Sequence, residues 1–242
     1  MHHRSEDDGE RDCSPQYGTH YAIIVQIYQR YPGDHHIWKK RHERAMAIEN
    51  RRSMTVEEYF QLEANDPETR YEYIDGHVYA MAGGTANHDT IKSNIQRTLW
   101  NLLRGSNCRV YSSDMKVYIS ETRYFHPDVT VTCDPRDRGR VQAIQSPRLI
   151  VEVLSPTTEL TDRTWKLKNY CAHPTIEEYV LVDSQSLKIE SYHKEQNRWI
   201  YEAFENTDDF TLHSFDVHFS LADAYIDVEF EKPTGGTDLL KT

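Results

Sequence analysis

The sequence has few cysteines and no long apolar run. Its four cysteines, Cys13, Cys108, Cys133 and Cys171, are scattered, without the paired spacing of a zinc knuckle or the density of a disulfide scaffold. We therefore expect reduced thiols and a cytoplasmic location. No apolar stretch reaches the ~18 residues that a membrane span needs, so we expect no membrane association. Residues 1–12 are charged rather than apolar, and we expect no secretory signal.

Positive charge is also scarce. The 242 residues carry 28 Lys and Arg against 39 Asp and Glu, which gives a net charge of −11. This balance argues against a protein that coats nucleic acid by charge alone, because such binding depends on neutralising phosphates with cations. It leaves open an enzyme that groups carboxylates around a divalent ion.

The chain divides into three parts. Residues 1–53 mix charge and histidine without a recognisable pattern, and we interpret them as an extension, disordered or loosely attached. Thr55 and Glu58 then form a capping box that opens a short helix. We expect the main domain to span residues 54–231 and a flexible tail to span 232–242.

The order of predicted elements indicates a mixed α/β sandwich with a central sheet. Asp75-Gly76 predicts a hairpin, and Asn87 is the expected cap of a helix whose apolar stripe runs from Ile91 to Leu103. The other expected elements are strands at 109–119, 125–132, 148–154 and 178–183, a helix at 161–172, a hairpin at 187–203, and a short strand and helical turn after Phe210.

The strand around Glu152 organises the rest. Residues 148–156 form a short β-branched run, which is typical of a strand buried on both faces. Alternation places Leu149, Val151 and Val153 on one face and Glu152 on the other. A buried carboxylate needs a partner, because leaving it unpaired costs several kcal/mol. If Glu152 belongs to a functional site, its partner is a cation such as a metal or a lysine. Alternatively, Glu152 forms a structural ion pair, or it lies on an edge strand at one solvent-exposed position.

Two further residues can join Glu152. Asp128 begins a neighbouring strand and Lys166 lies in the helix after the Glu152 strand. Two carboxylates on adjacent strands suit a hard divalent ion such as Mg²⁺, which would polarise a phosphate and activate water. A lysine could orient that water or offset developing negative charge.

These residues resemble a known motif. Pro127-Asp128 with Glu152 looks like the paired acidic motif of the PD-(D/E)XK nuclease superfamily. More closely, residues 54–230 are similar to a bacterial restriction-endonuclease-like family, abundant in cyanobacteria and formerly a domain of unknown function. The matching stretches are 54–59, 71–76, 81–85, 87–88, 113–117, 127–129, 150–158, 162–163 and 178–183.

The resemblance implies a fold and a site. The implied fold is a restriction-endonuclease-like core, a central mixed β-sheet flanked by helices, with added β-hairpins. The implied metal ligands are Asp128, Glu152 and Glu72, holding Mg²⁺ or alternatively Mn²⁺. The superfamily's usual lysine position is Leu154 here; in this family the lysine comes from the following helix, which matches Lys166 before Tyr170. Lys168 competes for that role.

Other polar residues have two interpretations each. His88 either contacts a phosphate or supports the helix start, and Asp114 either supports the site or pairs with Lys116. Gly83-Gly84 either approaches nucleic acid or only makes a turn. Arg136, Arg138 and Arg140 either grip phosphates or form a solvated loop, and we expect His126 at the surface.

Two functions remain. The leading hypothesis is a Mg²⁺-dependent endonuclease that hydrolyses phosphodiester bonds in DNA, with DNA as substrate and a homodimer as its assembly. The alternative is a catalytically inactive module that keeps the fold and binds nucleic acid or a protein partner. The intact acidic residues favour the first, and Leu154 and the acidic balance keep the second open.

Overall fold

The computed structural model describes residues 53–81, 83–139, 142–205 and 209–230. The expected extension 1–53 falls outside this part except for Ser53, and so does the expected tail 232–242, so both boundaries stay predictions. Within the described part, no helix combines the length and apolar character that crossing a membrane requires.

The described ranges contain five α-helices and twelve short strands. The helices are α1 (Val56–Asn65), α2 (Ala86–Leu102), α3 (Glu159–Thr161), α4 (Leu167–Ala172) and α5 (Leu221–Ala224), with a π-helical turn, Asp162–Lys166, joining α3 to α4. The strands are β1 (Tyr71–Ile74), β2 (His77–Ala80), β3 (Arg109–Ser112), β4 (Val117–Ser120), β5 (Arg123–Phe125), β6 (Val129–Thr132), β7 (Pro147–Leu154), β8 (Glu178–Asp183), β9 (Lys188–Glu195), β10 (Arg198–Glu205), β11 (Asp209–Leu212) and β12 (Val217–Ser220).

A six-stranded mixed sheet forms the centre. Its order is β10-β9-β8-β7-β6-β3, and only the β7–β8 pair is parallel. A four-stranded antiparallel sheet, β2-β1-β5-β4, lies beside it, and β11 and β12 form a separate hairpin.

Strand β7 separates two apolar cores. Its Leu149, Val151 and Val153 pack into one core with apolar residues of α2, and its Ile150 and Leu154 pack into the other with Tyr170 of α4. Helices therefore cover both faces of the central sheet. The predicted fold class and the predicted faces of β7 are confirmed.

Local signals explain several element boundaries. Thr55 and Glu58 complete the predicted capping box of α1. Asp75 and Gly76 both take positive φ in the turn of the β1–β2 hairpin, as a two-residue primed turn requires. The cap of α2 is Thr85, whose hydroxyl accepts the N–H of His88, and the prediction that Asn87 is the cap was wrong.

Two predicted strands are each divided. The expected strand at 109–119 is β3 and β4, which belong to different sheets and are separated by a turn. The expected strand at 125–132 is β5 and β6, separated by His126, Pro127 and Asp128. Proline cannot donate a ladder hydrogen bond, so pairing stops there and the chain passes from one sheet to the other.

The expectation of reduced thiols was wrong for one pair. Cys108 and Cys133 form a disulfide. They flank the antiparallel pairing of β3 with β6, in which Arg109 faces Thr132, so the strand register brings them opposite one another. Cys171 lies buried elsewhere, and Cys13 lies outside the described residues.

This disulfide should stabilise the fold. It closes a loop with a sequence separation of 25, and such a closure is worth about 3 kcal/mol through the entropy of the unfolded chain. We expect Cys108→Ser to lower the melting temperature of oxidised protein, and reductant to abolish the difference from wild type. Thiol alkylation after unfolding without reductant is the check, and four reactive thiols in the wild type would contradict the pairing.

Candidate functional site

Asp128 and Glu152 lie opposite one another. Val129 of β6 pairs with Val151 of β7 in antiparallel register, and one step further Asp128 faces Glu152. The Asp128 N–H donates to Glu152 Oε2 at 3.4 Å, and the Val153 N–H donates to Asp128 Oδ2 at 2.8 Å. The strand register thus brings together the two carboxylates that the sequence singled out.

Lys166 lies on the face of the helical segment that meets β7. Its Nζ is 2.9 Å from Glu152 Oε1 and 3.1 Å from Glu72 Oε1. Lys166 is buried, whereas Lys168 is exposed. The helix orientation therefore places Lys166 beside Glu152 and leaves Lys168 exposed, while the catalytic role of Lys166 stays a prediction.

Glu72 reaches the same point from the second sheet. It lies on β1, and its Oε1 accepts the backbone N–H of His126 at 3.3 Å in addition to the Lys166 contact. Tyr170 completes the surroundings of Glu152, because its hydroxyl donates to Oε1 at 2.9 Å. We call Glu72, Asp128, Glu152, Asp162 and Lys166 the acidic cluster.

Asp162 was not among the residues assigned to the site. Its Oδ1 lies 3.4 Å from Lys166 Nζ and, within the described part of the chain, has no hydrogen-bond partner. The available signal was its position four residues before Lys166, which places both on one helix face. Tyr179 also joins, donating from its hydroxyl to the backbone carbonyl of Asp162 at 3.2 Å.

The cluster holds more negative than positive charge. All four carboxylates and Lys166 are buried. Burial raises the pKa of Glu152 to about 8; Lys166 opposes this shift, while Asp162, Asp128 and Glu72 add to it. Burial lowers the pKa of Lys166, but Glu152, Glu72 and Asp162 outweigh it and hold that pKa well above its usual range.

His88 stands beside the cluster at the start of α2. Its Nε2 is 3.2 Å from Asp128 Oδ2. Burial lowers the pKa of His88. The hydrogen bond to Asp128 and the negative charge of that residue outweigh burial, so the net shift of the pKa is upward. A Cβ on Gly84 would lie 2.7 Å from His88 Nδ1, so glycine at this position gives the imidazole its room.

The expectations for His126 and Asp114 need correction, whereas Arg136 fits the solvated-loop interpretation. His126 is buried rather than at the surface, with its Nδ1 2.8 Å from the Ser113 carbonyl oxygen. Asp114 is exposed and pairs with Arg70, neither supporting the site nor pairing with Lys116. Arg136 pairs with the neighbouring Asp134 in an exposed turn, and Arg140 lies outside the described residues.

The oxygen donors suit a hard divalent cation. Among the described residues, no three of the four carboxylates bring oxygens within 4.8 Å of one another. Mg²⁺ is commonly held by one or two carboxylates together with waters and substrate phosphates, so a pair of these groups is sufficient. The four buried carboxylates outnumber the one buried lysine, and this surplus of oxygen donors fits such an ion.

Comparisons with known proteins show the family of this chain. The profile of the Uma2 family, described as "Putative restriction endonuclease", matches residues 56–224. An uncharacterized protein of Synechocystis is 40% identical over 179 residues, covering 73% of this chain and 94% of the relative. A second from that organism is 33% identical over 159 residues, covering 64% of this chain and 89% of the relative.

A solved structure shares the fold. It is the crystal structure of a "putative nuclease belonging to DUF820" from Anabaena variabilis, with a TM-score of 0.58 and 19% identity. The match covers 72% of this chain and 98% of the other.

The raised pKa of Glu152 predicts a pH dependence of stability. An ordinary glutamate near 4.5 ionises first in the unfolded chain, so metal-free wild type should lose stability as the pH rises from about 5 towards 8. The glutamine of Glu152→Gln cannot ionise. The free energy of unfolding of this variant should therefore rise relative to that of wild type by up to about 1.4 kcal/mol per pH unit. Its melting temperature should equal or exceed that of wild type in metal-free buffer.

Chemical denaturation at several pH values with chelator measures this difference. Glu177→Gln is a matched control, because Glu177 is a half-exposed carboxylate paired with Arg148 outside the cluster. If the wild type instead becomes more stable relative to Glu152→Gln as the pH rises, the Glu152–Lys166 pair is a structural ion pair.

Proposed function

Because this chain belongs to the Uma2 family of restriction-endonuclease-like proteins, we propose that it is a divalent-metal-dependent endonuclease that hydrolyses phosphodiester bonds in DNA. The observation that carries the proposal is the buried pairing of Asp128 with Glu152 beside Lys166. Burying so many like charges is costly unless a cation offsets them.

The proposed ligands of the ion are Asp128 and Glu152, with Glu72 as the third acidic member. Mg²⁺, or alternatively Mn²⁺, would polarise the scissile phosphate and lower the pKa of an attacking water. The protein fixes the carboxylates in advance: the Val153 N–H holds one oxygen of Asp128, and Tyr170 and Lys166 hold Oε1 of Glu152. Each residue therefore presents its other oxygen in a defined direction.

Lys166 is the proposed source of positive charge at the reacting phosphate. In this site, buried and poor in water, a fixed ammonium stabilises developing negative charge far better than it would in bulk water. His88 is a second candidate, because Asp128 raises its pKa, which favours the charged imidazole, and its ring remains partly accessible. We propose that His88 contacts a phosphate of the substrate.

The alternative is a module that binds nucleic acid or a partner without cleaving. The observation that favours it is Leu154, a buried apolar residue at the position where the superfamily usually places its lysine. Lys166 replaces that lysine only if its ammonium can serve the substrate as well as its three carboxylate neighbours. Binding of DNA without metal-dependent cleavage would support this second function.

Cleavage of supercoiled plasmid tests the leading function. We expect nicking or linearisation with Mg²⁺ or Mn²⁺ and none with chelator. Glu152→Gln should abolish cleavage, because it removes a proposed ligand, while the Glu177→Gln control keeps wild-type activity. Metal-independent cleavage, or full activity in Glu152→Gln, would contradict the proposal.

The two lysines provide a sharper comparison. Lys166→Met should reduce the cleavage rate by roughly 10²-fold or more, since a charge near the developing phosphorane is worth several kcal/mol. Lys168→Met should be mild, because Lys168 is exposed.

Folding needs a separate check here, because Lys166→Met leaves buried carboxylates uncompensated at a cost of about 3–5 kcal/mol. Lys166→Arg retains the charge and should retain the fold, with the rate restored only in part. Circular dichroism under assay conditions verifies the fold of each variant. A folded Lys166→Met protein with the wild-type rate would remove Lys166 from the mechanism.

A further inference from the structure

A second group of metal-ligating side chains lies on the central sheet at β9 and β10, separated from β7 by β8. His193 and Glu195 lie on β9, Glu202 lies on β10, and His213 lies in the turn between β11 and β12. We call these four residues the His–Glu cluster. None of them belongs to the acidic cluster or to the proposed nuclease mechanism.

His193 is the unexplained member. Its exposure is 1%, and within the described residues neither ring nitrogen has a hydrogen-bond partner. A neutral imidazole needs a donor and an acceptor for its two nitrogens, and leaving both unmet in a buried position is costly. The nearest partners are carboxylates: Glu195 Oε1 is 3.5 Å from Nε2 and Glu202 Oε2 is 3.6 Å from Nδ1.

His213 completes the arrangement. Its ring stacks on that of His193 with centroids 3.6 Å apart, and its Nε2 is 2.9 Å from Glu202 Oε2. One ligand atom each from His193, Glu195 and His213 lies within 4.8 Å of the others. We propose that His193, Glu195 and His213 are the ligands of a second metal site, one that binds Zn²⁺ or a similar borderline transition-metal ion, and that Glu202 supports it as the hydrogen-bond partner of His213.

The chemistry of the donors selects this class of ion. Imidazole nitrogen suits zinc, copper or nickel, whereas Mg²⁺ and Ca²⁺ prefer oxygen. Two imidazoles with one carboxylate also match the ligand types of protein zinc sites. This donor set differs from the all-oxygen set of the acidic cluster.

The distances are close to what such an ion needs. Ligands about 2.0–2.1 Å from a tetrahedral ion lie roughly 3.4 Å from one another. His193 Nε2 lies 3.5 Å from Glu195 Oε1. Glu202 Oε2 lies at the other nitrogen of that ring, 3.6 Å from Nδ1, and is 2.9 Å from His213 Nε2. The nearly parallel rings require His213 to tilt out of the stack, and its side chain, 36% exposed, has room to do so.

The site would connect separate parts of the fold. Ser214, next to His213, donates from both its N–H and its hydroxyl to Glu178 Oε2, at 2.9 and 2.7 Å, and Glu178 pairs with His193 across β8 and β9. The turn is therefore already held against β9. An ion there would tie the β9–β10 hairpin to the β11–β12 hairpin, so its expected effect is on stability.

Thermal unfolding of the full chain with Zn²⁺ or with chelator tests the proposal. With zinc at about 100 times its dissociation constant, the wild-type melting temperature should rise by about 5 °C or more. His213→Ala and Glu195→Gln should each lose most of this rise, because each removes a proposed ligand. Both side chains are partly exposed, so their removal should leave the fold intact.

His218→Ala is the matched control, since His218 is an exposed histidine of β12 outside the cluster. It should keep the wild-type rise. The same measurements in a Glu152→Gln background exclude zinc binding at the acidic cluster. The proposal is overturned if the wild type shows no rise, or if His213→Ala and Glu195→Gln keep it.

Discussion

The centre of the molecule depends on the ion pairs that the Lys166 ammonium makes with buried carboxylates. This ammonium lies within 3.4 Å of three buried carboxylates that come from three different elements: Glu72 from β1, Glu152 from β7, and Asp162 from its own helical segment. A buried charge is tolerated only when partners meet it, so both sheets and the helix must dock together for any of these groups to be buried. The cluster therefore links assembly of the fold to assembly of the site.

The helix achieves this through a local irregularity. Asp162–Lys166 forms a π-helical turn between α3 and α4, in which the Leu167 N–H reaches back to the Asp162 carbonyl. A wide turn shifts the faces of the residues that follow it, and such turns are frequent at functional sites. Here Asp162, Lys166 and Tyr170 all face Glu152 or its neighbours. The Tyr179 hydroxyl gives the Asp162 carbonyl a further partner.

Much of this arrangement follows from local patterns. The β-branched run around Glu152 and the turn at Asp75-Gly76 are short-range signals, and the strand and the hairpin appear where they indicate. The choice of Lys166, four residues before Tyr170, came from the family resemblance, and Lys166 lies beside Glu152 as that resemblance implied. The breaks between strands at residues 113–116 and 126–128 could not be predicted from local sequence patterns. Alternating polarity is the same whether two runs continue one strand or enter two sheets, and only tertiary packing distinguishes them.

The same limit applies to contacts between distant segments. The Cys108–Cys133 disulfide depends on the pairing of β3 with β6, and the His–Glu cluster depends on a turn that brings His213 against β9. Neither has a spacing that a sequence pattern would flag. Glu72 was available only through family resemblance, because a carboxylate in a short strand is otherwise an ordinary exposed residue.

The central sheet keeps the two clusters apart. Glu152 pairs with Leu181 on β8, whereas Glu178, three residues earlier and hence on the opposite face, pairs with His193 on β9. Glu152 of the acidic cluster and His193 of the His–Glu cluster therefore lie on opposite faces, so ions with different ligand preferences need not compete for one site. On this basis, an ion held at the His–Glu cluster would brace the far edge of the sheet while the acidic cluster remained available to Mg²⁺ and substrate.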